Sequence, residues 1–177
     1  MGSIRYLEPD TVVTFKLENA LPIFSERYIS PEAGTVVLKG LLNQKAHIET
    51  LDGEKFRMLA AKKDKRYPNK ILYPIVHLPD KEQVFHIASP LHIASAPGGR
   101  SQLRYTVVLD DERYVFRRMA RKRREFELWD GPELNRIVKR EASAKLVADL
   151  TVLLPVPDLL ILLFPWMDNQ NMVHSQS

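Results

Sequence analysis

The chain of 177 residues contains no cysteine, and this absence excludes several kinds of chemistry. Without a thiol there is no disulfide, no thiolate metal ligand, no cysteine nucleophile and no palmitoylation. The first residues, MGSIRYLEPD, lack the apolar core of a signal peptide, and Tyr6 stands where a myristoylation motif has Ser or Thr. No Asn-x-Ser/Thr glycosylation acceptor occurs either. We therefore expect an intracellular, cytoplasmic protein.

Catalytic and phosphate-binding motifs are also missing. The sequence has no GxSxG nucleophile elbow, no HExxH zinc motif, no GxxxxGKS/T loop and no GxGxxG fingerprint. The histidines show no metal-ligand spacing; they are His47, His77, His86, His92 and His174. The paired carboxylates Asp110 and Asp111 fall at a predicted hairpin tip, where solvated turn residues are usual. We expect no enzyme activity, no cofactor and no metal site.

The composition is that of a folded globular protein, with 45% hydrophobic and 27% charged residues. The sequence has no repeat of solenoid period, no low-complexity tract and no long Gly/Ser linker. The length suits one compact unit, since two independent domains would each be small. We expect a single domain over residues 1–177.

Short apolar runs alternate with turn-forming residues along most of the chain, which is typical of an antiparallel all-β domain. Such runs occupy residues 11–17, 35–42, 71–78, 125–129 and 145–154. Pro74 within one run predicts a bulge or a sheet edge, because proline cannot donate a ladder hydrogen bond. Residues 133–144 fit either a helix or a strand.

Two hairpins are predicted. In residues 47–58, Asp52 and Gly53 can supply both positive-φ positions of a type I′ turn. Residues 104–119 form the second hairpin, with residues 110–112 at its tip. In its first arm four apolar residues alternate and therefore share one face: Leu103, Tyr105, Val107 and Leu109.

The most apolar stretch is PVPDLLILLFPWMDN, residues 155–169. Pro157 and Asp158 suit the start of a helix, where backbone N–H groups are unpaired and the helix dipole favours a carboxylate. Pro165 should end or kink the helix. We predict a helix over about residues 157–166 and a loose tail from residue 169 to the C-terminus.

This predicted helix has no polar face, so its surroundings decide the fold. It is too short to span a membrane, which takes about 20 apolar residues. A helix that is apolar on every side has to be surrounded by other apolar side chains. An antiparallel barrel closed around the helix satisfies this requirement, and so does a β-sandwich with the helix capping one open end. The sequence pattern alone leaves both architectures open.

A family resemblance favours the barrel. A long antiparallel meander, a strand ending in proline, and Asp158 leading an apolar helix that closes on Met167 and Asp168 resemble the tubby C-terminal-like superfamily, especially its LURP-one-related and phospholipid scramblase branch. The resemblance implies a mainly β fold of about twelve strands closed around a hydrophobic C-terminal helix, and a basic barrel surface that binds phosphoinositide headgroups. The scramblases' cysteine cluster is absent, and Asp158 and Asp168 are too few for a calcium site.

Basic residues are clustered, although the net charge is only +4. Residues 113–124 include seven basic residues and no acid, and residues 62–70 form a second cluster. The clusters fit three roles: a solvated loop, a patch for anionic phospholipid headgroups, or a nuclear or nucleic-acid patch built on RKRR.

We expect a non-enzymatic module that contacts anionic headgroups and acts in the cytoplasm or peripherally at a membrane. The alternatives are a nuclear, nucleic-acid-associated protein and a scaffold for protein contacts. The candidate ligand-binding residues are Lys62, Lys63, Lys65, Arg66, Arg117, Arg118, Arg121, Lys122, Arg123 and Arg124.

Overall fold

The computed structural model describes residues 4–20, 25–40, 45–90, 95–96, 100–101, 104–120, 123–131, 135–141 and 149–174. The strands are β1 (Tyr6–Leu7), β2 (Val12–Thr14), β3 (Lys16–Ala20), β4 (Ser25–Ser30), β5 (Gly34–Lys39), β6 (Lys45–Thr50), β7 (Lys55–Met58), β8 (Lys62–Lys63), β9 (Lys70–Leu78), β10 (Gln83–Pro90), β11 (Ser95–Ala96), β12 (Arg100–Ser101), β13 (Arg104–Leu109), β14 (Glu112–Ala120), β15 (Arg123–Asp130), β16 (Arg136–Arg140), β17 (Asp149–Val152) and β18 (Val156–Pro157). Two helical segments follow, α1 (Asp158–Ile161) and α2 (Phe164–His174).

Thirteen strands form one nearly closed antiparallel barrel. The path runs in chain order from β3 through β4, β5, β6, β7, β9, β10, β13, β14, β15, β16 and β17, and β2 pairs with β17 at the far edge. Because β2 and β3 are separated only by Phe15, the two ends of the path are joined by a single residue. The mainly β barrel is confirmed, and residues 136–140, which fitted helix or strand, form β16.

Both predicted hairpins are present, but their turns differ from expectation. Between β6 and β7 only Gly53 has a positive φ, +82°, and the Gly53 N–H donates to the Thr50 carbonyl at 3.1 Å. This connection is a tight turn followed by a glycine bulge, so the predicted type I′ turn at Asp52 is wrong. Asp110 and Asp111 have φ of 50° and 61°, so the type I′ geometry occurs in the second hairpin. Its three described apolar positions, Tyr105, Val107 and Leu109, are all buried; Leu103 lies outside the described residues.

Pro74 lies in the middle of β9, where the neighbouring strand is interrupted. β7 pairs with β9 up to Ile75, and β8 resumes the pairing at Leu72. The Pro74 carbonyl accepts a hydrogen bond from the Leu59 N–H at 2.8 Å, which shows that Pro74 faces this gap. The missing N–H of Pro74 therefore removes no hydrogen bond between strands, because no residue of β7 or β8 pairs with Pro74.

The C-terminal helical region is longer than predicted and is interrupted. Pro165 does not end a helix; it lies in the first turn of α2, where a missing N–H costs nothing. A continuous helix would need Pro165 to donate to the Ile161 carbonyl, and the proline ring also crowds that carbonyl. For this reason α1 stops at Ile161. The backbone of α2 continues to His174 and includes residues 169–174, which were expected to form a tail.

Every side chain from Asp158 to Met167 is buried. The Trp166 ring lies 4.9 Å from the Tyr73 ring in β9 and 5.6 Å from the Tyr105 ring in β13. Phe164 packs against Phe116 in β14, with ring centroids 5.1 Å apart. The predicted burial of the apolar segment is therefore confirmed.

Polar contacts fix the far end of the buried segment. Arg140 of β16, whose side chain is 6% exposed, donates from Nη2 to both carboxylate oxygens of Asp168 at 2.9 and 2.8 Å. The Asn169 amide donates to the Tyr28 hydroxyl at 3.0 Å and to Glu26 at 3.1 Å, both in β4. Strands on widely separated parts of the sheet thus hold α2.

Candidate anion-binding surface

Charged residues of opposite sign collect at the two ends of the barrel. Because neighbouring strands of the path are antiparallel, successive connections lie at alternate ends. The β5–β6, β7–β9 and β14–β15 connections lie at one end, and the β6–β7, β9–β10 and β13–β14 connections lie at the other. The basic residues of 62–70 and the described basic residues of 117–124 therefore lie at the same end of the barrel, although they are far apart along the chain.

The basic end is defined by Lys39, Lys45, Lys62, Lys63, Lys65, Arg66, Lys70, Arg104, Arg117 and Arg118. The acidic end is defined by Glu8, Asp10, Glu32, Asp52, Glu54, Asp80, Glu82, Asp110, Asp111 and Glu112. Segregation is incomplete. The cations at the acidic end are Lys16, Lys55, Lys81, Arg113 and Arg136. The acids at the basic end are Glu26, Asp64, Glu125, Glu141 and Asp149, of which Asp64 pairs with Arg66 and Glu141 with Lys139.

The β8 segment and the turn after it are the most exposed part of the basic end. Lys62, Lys63 and Lys65 are exposed, and none forms an ion pair within the part of the chain that the structure describes. Arg66 donates from Nη2 to Asp64 at 2.8 Å, and its backbone N–H also donates to that carboxylate at 2.9 Å. These hydrogen bonds lower the pKa of Asp64 to about 2. The turn is thereby fixed, and three lysines remain available to an outside anion.

His86, on the outer face of β10, also belongs to this surface. Its ring centroid lies 5.7 Å from that of Tyr67. Burial lowers the pKa of His86, and the positive charges of Lys62 and Arg66 lower it further. Sequence reasoning missed His86, because only the β9–β10 pairing brings it beside the β8 segment.

The predicted arginines of the β14–β15 region have different surroundings. The Arg117 guanidinium lies 5.2 Å from the Trp129 ring centroid, and its buried Nε has no hydrogen-bond partner among the described residues. Burial lowers the pKa of Arg117, and Arg104 lowers it further. Arg118 is half-buried and engaged in other contacts. The structure therefore gives Arg117 a packing role on Trp129.

The remaining predicted residues can be placed only in part. Arg121 and Lys122 lie outside the described residues. Arg123 and Arg124 begin β15 at the basic end, but the structure describes only their backbone.

A second basic surface lies on the outer wall of β4, β5, β6 and β7, and the sequence did not reveal it. Strand pairing aligns Arg27 with Val37, Val37 with His47, and His47 with Arg57. A groove of about 420 Å³ runs over this wall. It is lined by Ser25, Arg27, Thr35, Val37, Lys39, His47, Ile48, Glu49, Lys55, Phe56 and Leu78. In the sequence, each basic residue resembles an ordinary solvent-facing residue of an alternating strand. Only the strand register shows that these residues lie side by side in the groove.

His77 is held between two carboxylates at the acidic end. Its Nε2 lies 2.5 Å from Glu54 Oε2, and its Nδ1 lies 3.1 Å from Asp80 Oδ2. These hydrogen bonds raise the pKa of His77, with Glu54 acting most strongly. The two carboxylates occupy opposite edges of the ring and do not converge on one point. Within the described residues, no group of three or more His, Asp or Glu side chains is placed to hold a metal ion.

Comparisons with family models, curated proteins and solved structures gave no match. Neither helical segment of the described chain has the length and apolar character needed to cross a membrane.

Proposed function

We propose that the protein is a non-enzymatic binding module whose basic end contacts anionic phospholipid headgroups. The observation that carries this proposal is the collection of cations from separate strand connections at one end of the barrel. Five of them are exposed and form no ion pair within the described residues: Lys39, Lys45, Lys62, Lys63 and Lys65.

The arrangement suits a planar partner. The five lysines lie in or next to the β5–β6 and β7–β9 connections. They are therefore spread along the rim of one end of the barrel and do not line a single cleft. Each lysine near an anionic membrane contributes about 1 kcal/mol of attraction. Five such contributions, about 5 kcal/mol, correspond to a Kd of roughly 0.2 mM, which is reversible peripheral binding.

A nucleic-acid role has less support from the described residues. The longer helix, α2, contributes Phe164, Pro165, Trp166 and Met167 to the buried core, so that part of it is not free to enter a major groove. Among the described residues the exposed aromatic side chains are Tyr6 and Tyr67; Tyr6 lies near Asp110 and Glu112 at the acidic end, and Tyr67 lies at the basic end. A stacking platform for single strands needs several neighbouring aromatic rings.

Vesicle flotation with two charge-matched variants tests the proposal. K63E/K65E reverses two lysines at the basic end, and K81E/R113E reverses two cations at the acidic end. Wild type should bind phosphatidylserine-containing vesicles and not pure phosphatidylcholine vesicles. K63E/K65E should bind at least about tenfold more weakly, because two attractive charges become repulsive. K81E/R113E should bind like wild type.

Equal losses in the two variants would show that only net charge matters and would overturn the proposal. Duplex DNA added at the same salt concentration serves as a further arm. Tighter binding to DNA than to vesicles, lost in K63E/K65E, would replace the lipid role by the nucleic-acid alternative.

We also propose that the barrel encloses the C-terminal helix and that the chain is a tubby-like domain. The support is the thirteen-stranded antiparallel path, the burial of residues 158–167, and the contacts of α2 with β4, β9, β13, β14 and β16. In such an arrangement any binding activity belongs to the outer surface, where the lysines lie.

A further inference from the structure

The lining of the groove on the outer wall of β4–β7 has more cations than acids. Arg27, Lys39 and Lys55 line it, and none of them forms an ion pair within the described residues. Glu49 is the one acid among the lining residues. The lining therefore carries a net charge of about +2 before His47 is counted, and two more cations, Lys45 and Arg57, lie close enough to lower the pKa of His47.

The strand register sets the spacing of these side chains. His47 and Arg57 are directly paired, and Arg27 is two strands from His47. Adjacent strands are about 4.8 Å apart, so long side chains from both sides can reach one compact anion above His47. Val37 and Leu78 supply apolar surface in the same groove. The volume, about 420 Å³, falls within the range of small-molecule sites, so the groove has room for an organic group attached to the anion.

We propose that this groove is a binding site for a compact dianion, such as the phosphate monoester of a small molecule or headgroup, with His47 as a proton-dependent ligand. The site goes beyond the proposed function, because it lies on the barrel wall and, apart from Lys39, is lined by residues that do not belong to the basic end. Arg27 and Lys55 approach the anion from opposite sides, and Glu49 weakens its binding.

His47 makes the affinity depend on pH. The charged groups facing it are Arg27 of β4, Lys39 of β5, Lys45 and Glu49 of β6, and Lys55 and Arg57 of β7. Burial lowers the pKa of His47, and Lys39, Arg57 and Lys45 lower it further. A bound dianion stabilises the imidazolium, so binding takes up a proton. The affinity for an anion of constant charge therefore rises as the pH falls.

Titration of ¹⁵N-labelled full-length protein with inorganic sulfate tests the site, because sulfate stays a dianion over the pH range used. Shifts should concentrate on amides of the groove. Lys55→Ala and Arg27→Ala should each weaken sulfate binding about fivefold to tenfold. Glu49→Gln should strengthen it about threefold, a gain that misfolding cannot imitate. Lys65→Ala, which removes the same charge at the basic end, should leave the affinity unchanged.

The pH arm compares sulfate affinity at about pH 5.5 and about pH 8. Wild type should bind several-fold more tightly at the lower pH, and His47→Gln should lose this dependence while keeping the binding observed at the higher pH. No gain in Glu49→Gln, or an equal loss in Lys65→Ala and Lys55→Ala, would show diffuse charge without a site and would overturn the inference.

Two further probes distinguish a soluble phosphate monoester from a lipid headgroup: glycerol 3-phosphate represents the first, and vesicles containing phosphatidic acid represent the second. A soluble ligand is indicated if Lys55→Ala weakens the binding of both, and a lipid headgroup is indicated if it weakens only vesicle binding. K63E/K65E tests the basic end independently: its failure to weaken binding to phosphatidylserine vesicles contradicts the proposed function and leaves the sulfate results untouched.

Discussion

At the scale of single residues, histidines meet opposite surroundings at different places on the barrel. His47 and His86 are partly buried beside lysine and arginine side chains, and their pKa values are lowered. His77 lies between Glu54 and Asp80, which raise its pKa. Burial is the largest cause of the two lowered pKa values, and the neighbouring cations add to it, whereas hydrogen bonds to the two carboxylates raise the pKa of His77.

His77 should make stability depend on pH with a sign opposite to that of His86. A histidine whose pKa is raised in the folded state contributes stability that is complete below the unfolded value of about 6.5. This contribution is lost as the pH rises through the folded pKa. His77→Gln should therefore lower the urea midpoint most in acid, and the difference from wild type should shrink toward alkaline pH.

His86→Gln is the matched control for this experiment. The pKa of His86 is lowered in the folded wild-type protein, so this residue reduces stability as the pH falls. The urea midpoint of His86→Gln should therefore rise relative to that of wild type in acid. Parallel pH profiles for the two variants would contradict the assigned environments.

At the scale of elements, local pattern predicted most of the long strands and the helical region, but it missed β4 and β10 and, outside the two hairpins, gave no strand its partners. Alternating residues such as Tyr105 and Val107 marked a half-buried strand, and the apolar run 159–164 marked a buried segment. Pro165 predicted that the helix would end or kink near residue 166, but the sequence did not show that α1 would stop at Ile161 or that α2 would begin at Phe164. The groove depends on strand register, which aligns Arg27 with His47 across two strands although twenty positions separate them. No local pattern contains that alignment.

Removal of the helical region should prevent folding. Eight large apolar side chains between residues 158 and 168 are at most 2% exposed: Leu159, Leu160, Ile161, Leu162, Leu163, Phe164, Trp166 and Met167. Each contributes roughly 1.5–3 kcal/mol on burial, so together they contribute about 12–24 kcal/mol, which is comparable to or larger than the typical stability of about 5–15 kcal/mol. A chain ending at Pro157 should show no cooperative urea transition and no dispersed NMR spectrum. A chain ending at His174 is the control and should fold. A folded spectrum for the shorter chain would mean that the barrel does not need the helix as its core.

At the scale of the whole molecule, the up-and-down order of strands places opposite charges at the two ends of the barrel, although the net charge is modest. Successive connections alternate between the ends, and from the β4–β5 connection to the β9–β10 connection the charges in or next to them alternate in sign. β9 and β14 each have nine residues, so they are about 30 Å long and span about 20 Å of the barrel axis at the usual tilt. This exceeds the Debye length of about 8 Å at physiological salt. An anionic surface touching the basic end is therefore screened from the acids at the other end.

This separation predicts a fixed orientation on a membrane. Since the chain has no cysteine, a single introduced cysteine can carry an environment-sensitive fluorophore. Asn69→Cys places the probe at the basic end, and Leu51→Cys places it at the acidic end; both positions are exposed and uncharged. Vesicles containing phosphatidylserine should shift the emission of the probe at position 69 and leave that at position 51 unchanged, because the second probe stays about 20 Å from the headgroups. Equal shifts at the two positions would mean that the barrel lies on its side, with its wall and not its basic end against the membrane.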